Sequence, residues 1–136
     1  MIKIGIVGSR RRNSSSDFKL LYKKINELIN KYGTENITLI SGGCPKGADY
    51  FAEIINEEIN LPNKMIIHYP DKNKLDSRLV KTNIRAAYAI INYARNTLIA
   101  EDSEILIAMV ASDRKGGTED TIKKYKKFGK NNLIIL

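Results

Sequence analysis

The sequence predicts an α/β fold in which a doubly wound, mainly parallel sheet of five strands carries helices on both faces. Three observations lead there. Apolar runs of strand length alternate with longer stretches whose apolar residues recur at helical spacing. Two of those runs end in glycine-rich turns that open a helix, at 42–43 and at 116–117, the strand-turn-helix order of a parallel crossover. The chain, 136 residues with 43% hydrophobic and 28% charged side chains, is long enough to bury one core as a single domain spanning 1–136.

Residues 3–7 (Lys-Ile-Gly-Ile-Val) read as a buried first strand closed by Gly8-Ser9. Polar residues 10–17 lead into a helix in which Phe18, Leu21, Ile25, Leu28, Ile29 and Tyr32 share one face. Ser16 or Asp17 is expected to cap it and Gly33 to stop it. Gly8, Ser9 and Arg10 thus fall where a first strand hands over to a first helix, the ligand edge of open α/β sheets. Of the three successive arginines, Arg10 is expected to face the ligand and Arg11 and Arg12 to be solvated.

Residues 38–41 form the second strand and 48–60 the second helix. Between them stands Ser41-Gly42-Gly43-Cys44-Pro45-Lys46-Gly47-Ala48-Asp49. Glycines 42, 43 and 47 suit either close packing of a tight turn or the approach of an anion to bare backbone at a helix N-terminus. Asp49 is expected to serve the first helical turn, and Cys44, the only cysteine, to be a bystander. A third strand is expected over 64–69 and a charged loop over 72–78. A helix should follow over 79–94, with Ala87, Tyr88 and Ile91 facing inward. Arg95-Asn96 opens a short helix with an acidic stop before a buried strand at 105–110. After Gly116-Gly117-Thr118 a helix carries Ile122, Tyr125 and Phe128 inward and ends at Gly129, and residues 132–136 supply the last strand.

These turns resemble the SLOG superfamily of Rossmann-like proteins, in particular its small YspA-like members. The resemblance rests on Gly8-Ser9-Arg10, Ser41-Gly42-Gly43 with Gly47-Ala48-Asp49, Arg95-Asn96, and Gly116-Gly117-Thr118. It implies a Rossmann-type domain that holds a nucleotide or nucleotide-derived phosphorylated ligand at the carboxyl edge of its sheet. The implied ligand residues are Gly8, Ser9, Arg10, Ser41, Gly42, Gly43, Lys46, Gly47, Asp49, Arg95, Asn96, Gly116, Gly117 and Thr118. Two further readings follow from other branches. The LOG phosphoribohydrolases, which cleave the N-glycosidic bond of nucleoside monophosphates, place a catalytic glutamate three residues beyond the position of Thr118. This chain has Thr121 there, so Glu119 becomes the candidate carboxylate. The DprA-like branch binds single-stranded nucleic acid, and a net charge of +8 favours weak, salt-sensitive binding of that kind.

One cysteine and one histidine exclude a disulfide within the chain and leave little for a metal centre, and no cofactor is implied. His68, in or beside the third strand, is expected to be packed or exposed. No apolar run is long enough to span a bilayer and none near the start resembles a secretory leader, so a cytoplasmic protein without membrane contact is expected. Self-association is open.

Overall fold

The computed structural model describes residues 1–136. Its sheet has five strands: β1 (Ile2–Gly8), β2 (Ile37–Ser41), β3 (Ile66–Ile67), β4 (Ile105–Met109) and β5 (Leu133–Ile135), in the order β3-β2-β1-β4-β5. Every pairing is parallel, so the sheet expected to be mainly parallel is wholly so. The helices are α1 (Ser15–Tyr32), α2 (Ala48–Ile59), α3 (Ser77–Thr82), α4 (Ile84–Asp102) and α5 (Gly117–Lys127). No helix is long and apolar enough to cross a membrane.

Alternation along the strands divides the core between the two faces. Ile4, Ile6, Leu39, Ile105, Ile107 and Met109 pack with Leu21 and Ile25 of α1 and with Phe51, Ala52 and Ile55 of α2. Val7, Ile40, Leu106 and Ala108 point the other way, onto Ile99 and Ala100 of α4 and Ile122 and Tyr125 of α5. The Tyr125 hydroxyl is satisfied inside this layer, donating to the Glu104 carbonyl at 2.6 Å. The chain passes from one face to the other on the crossover from β3 to β4. The loops after β1 and β4 therefore diverge to opposite sides, and this switch point positions the site.

Gly5 is required by the closeness of α4's end to β1. A Cβ there would lie 2.0 Å from Ser103 Oγ, which donates to the Ile99 carbonyl at 2.6 Å. Gly5→Ala is expected to lose about 1–3 kcal/mol, the usual cost of overpacking a tight core. Ser103→Gly in the same chain should restore part of the loss, as read by urea unfolding.

Several boundaries differ from the sequence expectation. The cap of α1 is Ser14, not Ser16 or Asp17: its Oγ accepts from Asp17 N at 3.1 Å while Asp17 Oδ2 accepts from Ser14 N at 3.2 Å, a capping box that selects the first of three serines. Gly33 does stop the helix. β3, an edge strand paired with β2 alone, is two residues long where 64–69 was expected; His68 N still donates to Ser41 O at 2.9 Å before the chain leaves the sheet. The charged stretch 72–78 is a turn of 3₁₀ helix followed by α3, capped by Asp76. Asn83 then breaks the chain and caps a helix that runs without interruption through Arg95 to Asp102. Tyr88, expected inside, is 38% exposed, whereas Ala87 and Ile91 are buried.

Candidate functional site

A cleft of about 670 Å³ opens at the carboxyl edge of the sheet, at the switch point between β1 and β4. Its size is that of a small-molecule site. The floor is Val7 with Ile99, which pack together in the core. One wall is α4, whose residues 85, 88, 89, 92, 96 and 99 share the i, i+3, i+4 face of a single helix. The opposite wall is made by the turns after β1 and β4, with Gly8, Ser9 and Arg10 on one and Lys115, Gly116, Gly117 and Thr118 on the other. Five cationic side chains, Arg10, Arg11, Arg85, Arg95 and Lys115, border the cleft against one carboxylate, Asp49.

The glycine-rich turn after β2 departs most from expectation. Cys44 and Asp49 reach the cleft, but Ser41, Gly42, Gly43, Lys46 and Gly47 lie outside its lining. The turn is closed by the protein's own groups. The Gly42 carbonyl accepts a hydrogen bond from Arg95 Nη1, and a Cβ at Gly42 would sit 2.6 Å from that same atom. Gly43 has φ +74°, and a Cβ there would meet the Tyr69 ring at 2.4 Å. Gly47 N donates to Asn13 Oδ1 at 2.9 Å. The glycines at 42 and 43 therefore allow close packing against Arg95 and Tyr69, outside the cleft lining.

Asp49, in the first turn of α2, is 8% exposed, and its Oδ2 accepts from Cys44 N at 3.0 Å. Burial pushes its carboxyl up to about 6, against the opposing pull of the Cys44 N–H bond and of the Arg95 charge. The same burial lowers Arg95 from its ordinary value, with Asp49 acting to raise it.

Arg95 and Asn96 stand in the middle of α4, not at a helix start. Arg95 Nε donates to Asn96 Oδ1 at 2.9 Å, and Asn96 Nδ2 donates to Gly117 O at 3.3 Å and Asp120 Oδ2 at 3.2 Å. Lys124 Nζ completes the chain by bonding Asp120 Oδ2 at 2.8 Å. This relay ties the turn after β2, through α4, to the start of α5. Arg95 is thus committed largely to the protein, with its guanidinium at the cleft edge.

At the second glycine turn, Gly116 occupies the N-cap with φ +118° and nothing within 4 Å of a Cβ placed there. The residue itself lines the cleft. Thr118 comes two residues into α5 instead of at the cap; it is 8% exposed, lines the cleft, and its hydroxyl has no hydrogen-bond partner in the chain. Glu119, the expected catalytic candidate, is outside the cleft lining. Its two oxygens accept from Arg114 Nε and Nη2, both at 2.9 Å, so it neither faces a ligand nor caps the helix. Of the arginines after β1, Arg11 is exposed as expected and Arg12 is not. Arg11 pairs with Asp113 at 2.7 Å, and Arg12, expected in solvent, bonds Asp17 Oδ1 at 2.8 Å and the carbonyls of Val110 and Leu136.

Sequence reasoning missed Arg85, Tyr88, Asn92, Tyr93 and Lys115, all of which line the cleft. The signal was available as an unbroken helical stripe from 85 to 99, once Arg95-Asn96 is not taken as a boundary. No group of three or more His, Cys, Asp or Glu side chains is placed to hold a metal ion. No protein-family model, curated protein or solved structure matches the chain.

Proposed function

We propose that the cleft binds a nucleotide or nucleotide-derived phosphorylated ligand, without bond chemistry, its phosphate seated on the turn that opens α5. The observation that carries this reading is a switch-point cleft bordered by Arg10, Arg85 and Lys115, none of them in an ion pair, where the unpartnered Thr118 hydroxyl lies beside the first N–H groups of α5. Gly8-Ser9-Arg10, Arg95-Asn96 and Gly116-Gly117-Thr118 all border this one cleft, which supports placing the chain in the SLOG superfamily.

The test compares adenosine with its 5′-monophosphate by thermal shift and calorimetry at fixed salt. The phosphorylated ligand should stabilise the protein and the nucleoside should not. Thr118→Val and Lys115→Ala should each weaken binding about tenfold, the scale of one hydrogen bond to a charged group. Glu119→Gln should stay within a few fold, since that carboxylate is spent on Arg114. Equal binding of nucleoside and nucleotide would sink the proposal.

A second reading, hydrolysis of an N-glycosidic bond, gains one observation. Asp49 is the one carboxylate in the cleft, and with its carboxyl pushed up to about 6 it is suited to hold or give a proton near neutral pH. Release of free base from a nucleoside monophosphate, lost in Asp49→Asn, would put this reading first. Single-stranded DNA, titrated against salt in the same assay, tests the nucleic-acid alternative.

A further inference from the structure

We infer that the face of α4 between Asn92 and Tyr88 is the base-binding wall of this cleft, so that its ligand is a nucleoside 5′-phosphate rather than a sugar phosphate or a bare polyphosphate; this rests on the phosphate-binding reading above. The register of α4 against the α5 turn sets the order of groups. Asn96 is level with that turn, its Nδ2 3.3 Å from Gly117 O. With a rise of about 1.5 Å per residue, Asn92 lies about 6 Å and Tyr88 about 12 Å further toward the mouth. A ligand anchored by its phosphate at Gly117 and Thr118 and running along this wall presents its sugar near Asn92 and its base between Asn92 and Tyr88.

The chemistry of the wall changes along the same line. Next to the turn it is polar and committed, since Asn96 is fully used in holding Gly117, Asp120 and Arg95. One turn on, the half-buried amide of Asn92 lines the cleft with no hydrogen-bond partner in the chain, offering the paired donor and acceptor that match a base edge. Beyond it, Tyr88 lines the cleft next to the small side chain of Ala89. The other tyrosine of the wall is already engaged: Lys124 Nζ lies 5.4 Å from the centre of the Tyr93 ring and bonds the Tyr93 carbonyl. Tyr88 has no such cation over it and is 38% exposed, a ring free to stack. Arg85 stands beyond it at the mouth.

Calorimetry with ribose 5-phosphate and the four common nucleoside 5′-monophosphates separates the contributions. In the unaltered protein at least one nucleoside monophosphate should bind more tightly than ribose 5-phosphate. Tyr88→Ala should lower that affinity by roughly five- to hundredfold, the range for removing a stacking aromatic, while ribose 5-phosphate stays within about twofold. Tyr88→Phe should retain the affinity, and Asn92→Asp, which trades the donor for a second acceptor, should reorder the four bases. Melting without ligand checks that the variants fold. Equal affinity for ribose 5-phosphate and every nucleotide, or an equal loss of both in Tyr88→Ala, overturns the assignment and leaves the phosphate site standing. Binding of none of these ligands removes the phosphate site itself, and the wall with it.

Discussion

Arg95→Ala is expected to destabilise the protein by about 2–4 kcal/mol at pH 7, a loss larger than that of any surface cation. The side chain donates to the Gly42 carbonyl and to Asn96 Oδ1, and its charge is the one that opposes the burial of Asp49. Removing it orphans a carbonyl in a closed turn and leaves a buried carboxylate without its compensating cation, the costly way to break such a pair. The double variant Arg95→Ala, Asp49→Asn should recover part of the loss, because the charge left stranded is then gone. A coupling of about 0.5–3 kcal/mol in the double-mutant cycle is the expected scale. Arg95→Lys should rescue poorly, since a point charge cannot span the two acceptors that the guanidinium fork reaches. Urea unfolding of the parent, the two single variants, the double variant and Arg95→Lys decides it. An Arg95→Ala protein as stable as its parent, with phosphate binding lost, would mean that the arginine is held for ligand and not for the fold.

How far the sequence could be read depended on how local each signal was. The strands were legible because each is a short apolar run, buried at the centre of the sheet, as in Ile105–Met109, and half-buried toward its edges at Ile66–Ile67 and Leu133–Ile135. Parallel winding followed from the alternation with amphipathic helices, whose caps at Gly33 and Ser14 follow general rules, even though the wrong serine was favoured. The edge strand at Ile66–Ile67 was overestimated because an apolar pattern does not report how many neighbours a strand has.

The site was less legible, and for a physical reason. A glycine turn after a strand looks the same whether its backbone faces a ligand or the protein's own side chains. At Gly42 and Gly43 the covering groups are Arg95 and Tyr69, which come from 53 and 26 residues further along the chain (95 − 42 and 69 − 43). At Gly116 nothing covers the turn. Only tertiary structure separates the two. In the same way, Glu119 was singled out by its distance from a motif, whereas its role is set by Arg114, five residues earlier, and neither side chain lines the cleft. Asp49 stands in the opposite case: its type and place suggested a cap, but burial gives it a property that spacing does not encode.

That property sets the last expected result, a fall in stability as pH rises from about 4 to about 6. Asp49 has an ordinary value of 3.8 and is pushed up to about 6 in the folded protein, burial being the largest cause, with Glu53 adding to it and Arg95 and the Cys44 N–H resisting. Because the folded value is the higher one, the folded state holds its proton more tightly than the unfolded chain. The stability this gives is fully present below 3.8 and lost as pH rises through about 6. A difference of about two on the pKa scale, at roughly 1.4 kcal/mol each, amounts to about 3 kcal/mol. The other shifted carboxylates act in the opposite sense and at lower pH. Asp17 and Asp102 are both held below the ordinary range, Asp17 by Arg12 and Ser14 and Asp102 by Lys3 and His68. Their contributions are complete above that range and disappear only as pH falls through the lowered values. The stability curve should therefore climb out of strong acid, pass a maximum near pH 4 and decline toward pH 6. Asp49→Asn, which keeps an oxygen to accept from Cys44 N but carries no proton to lose, should abolish the decline and leave the acid limb unchanged. Urea unfolding from pH 3 to 7 measures both limbs, and a decline of undiminished size in the asparagine variant would assign it to another group and return Asp49 to a plain structural cap.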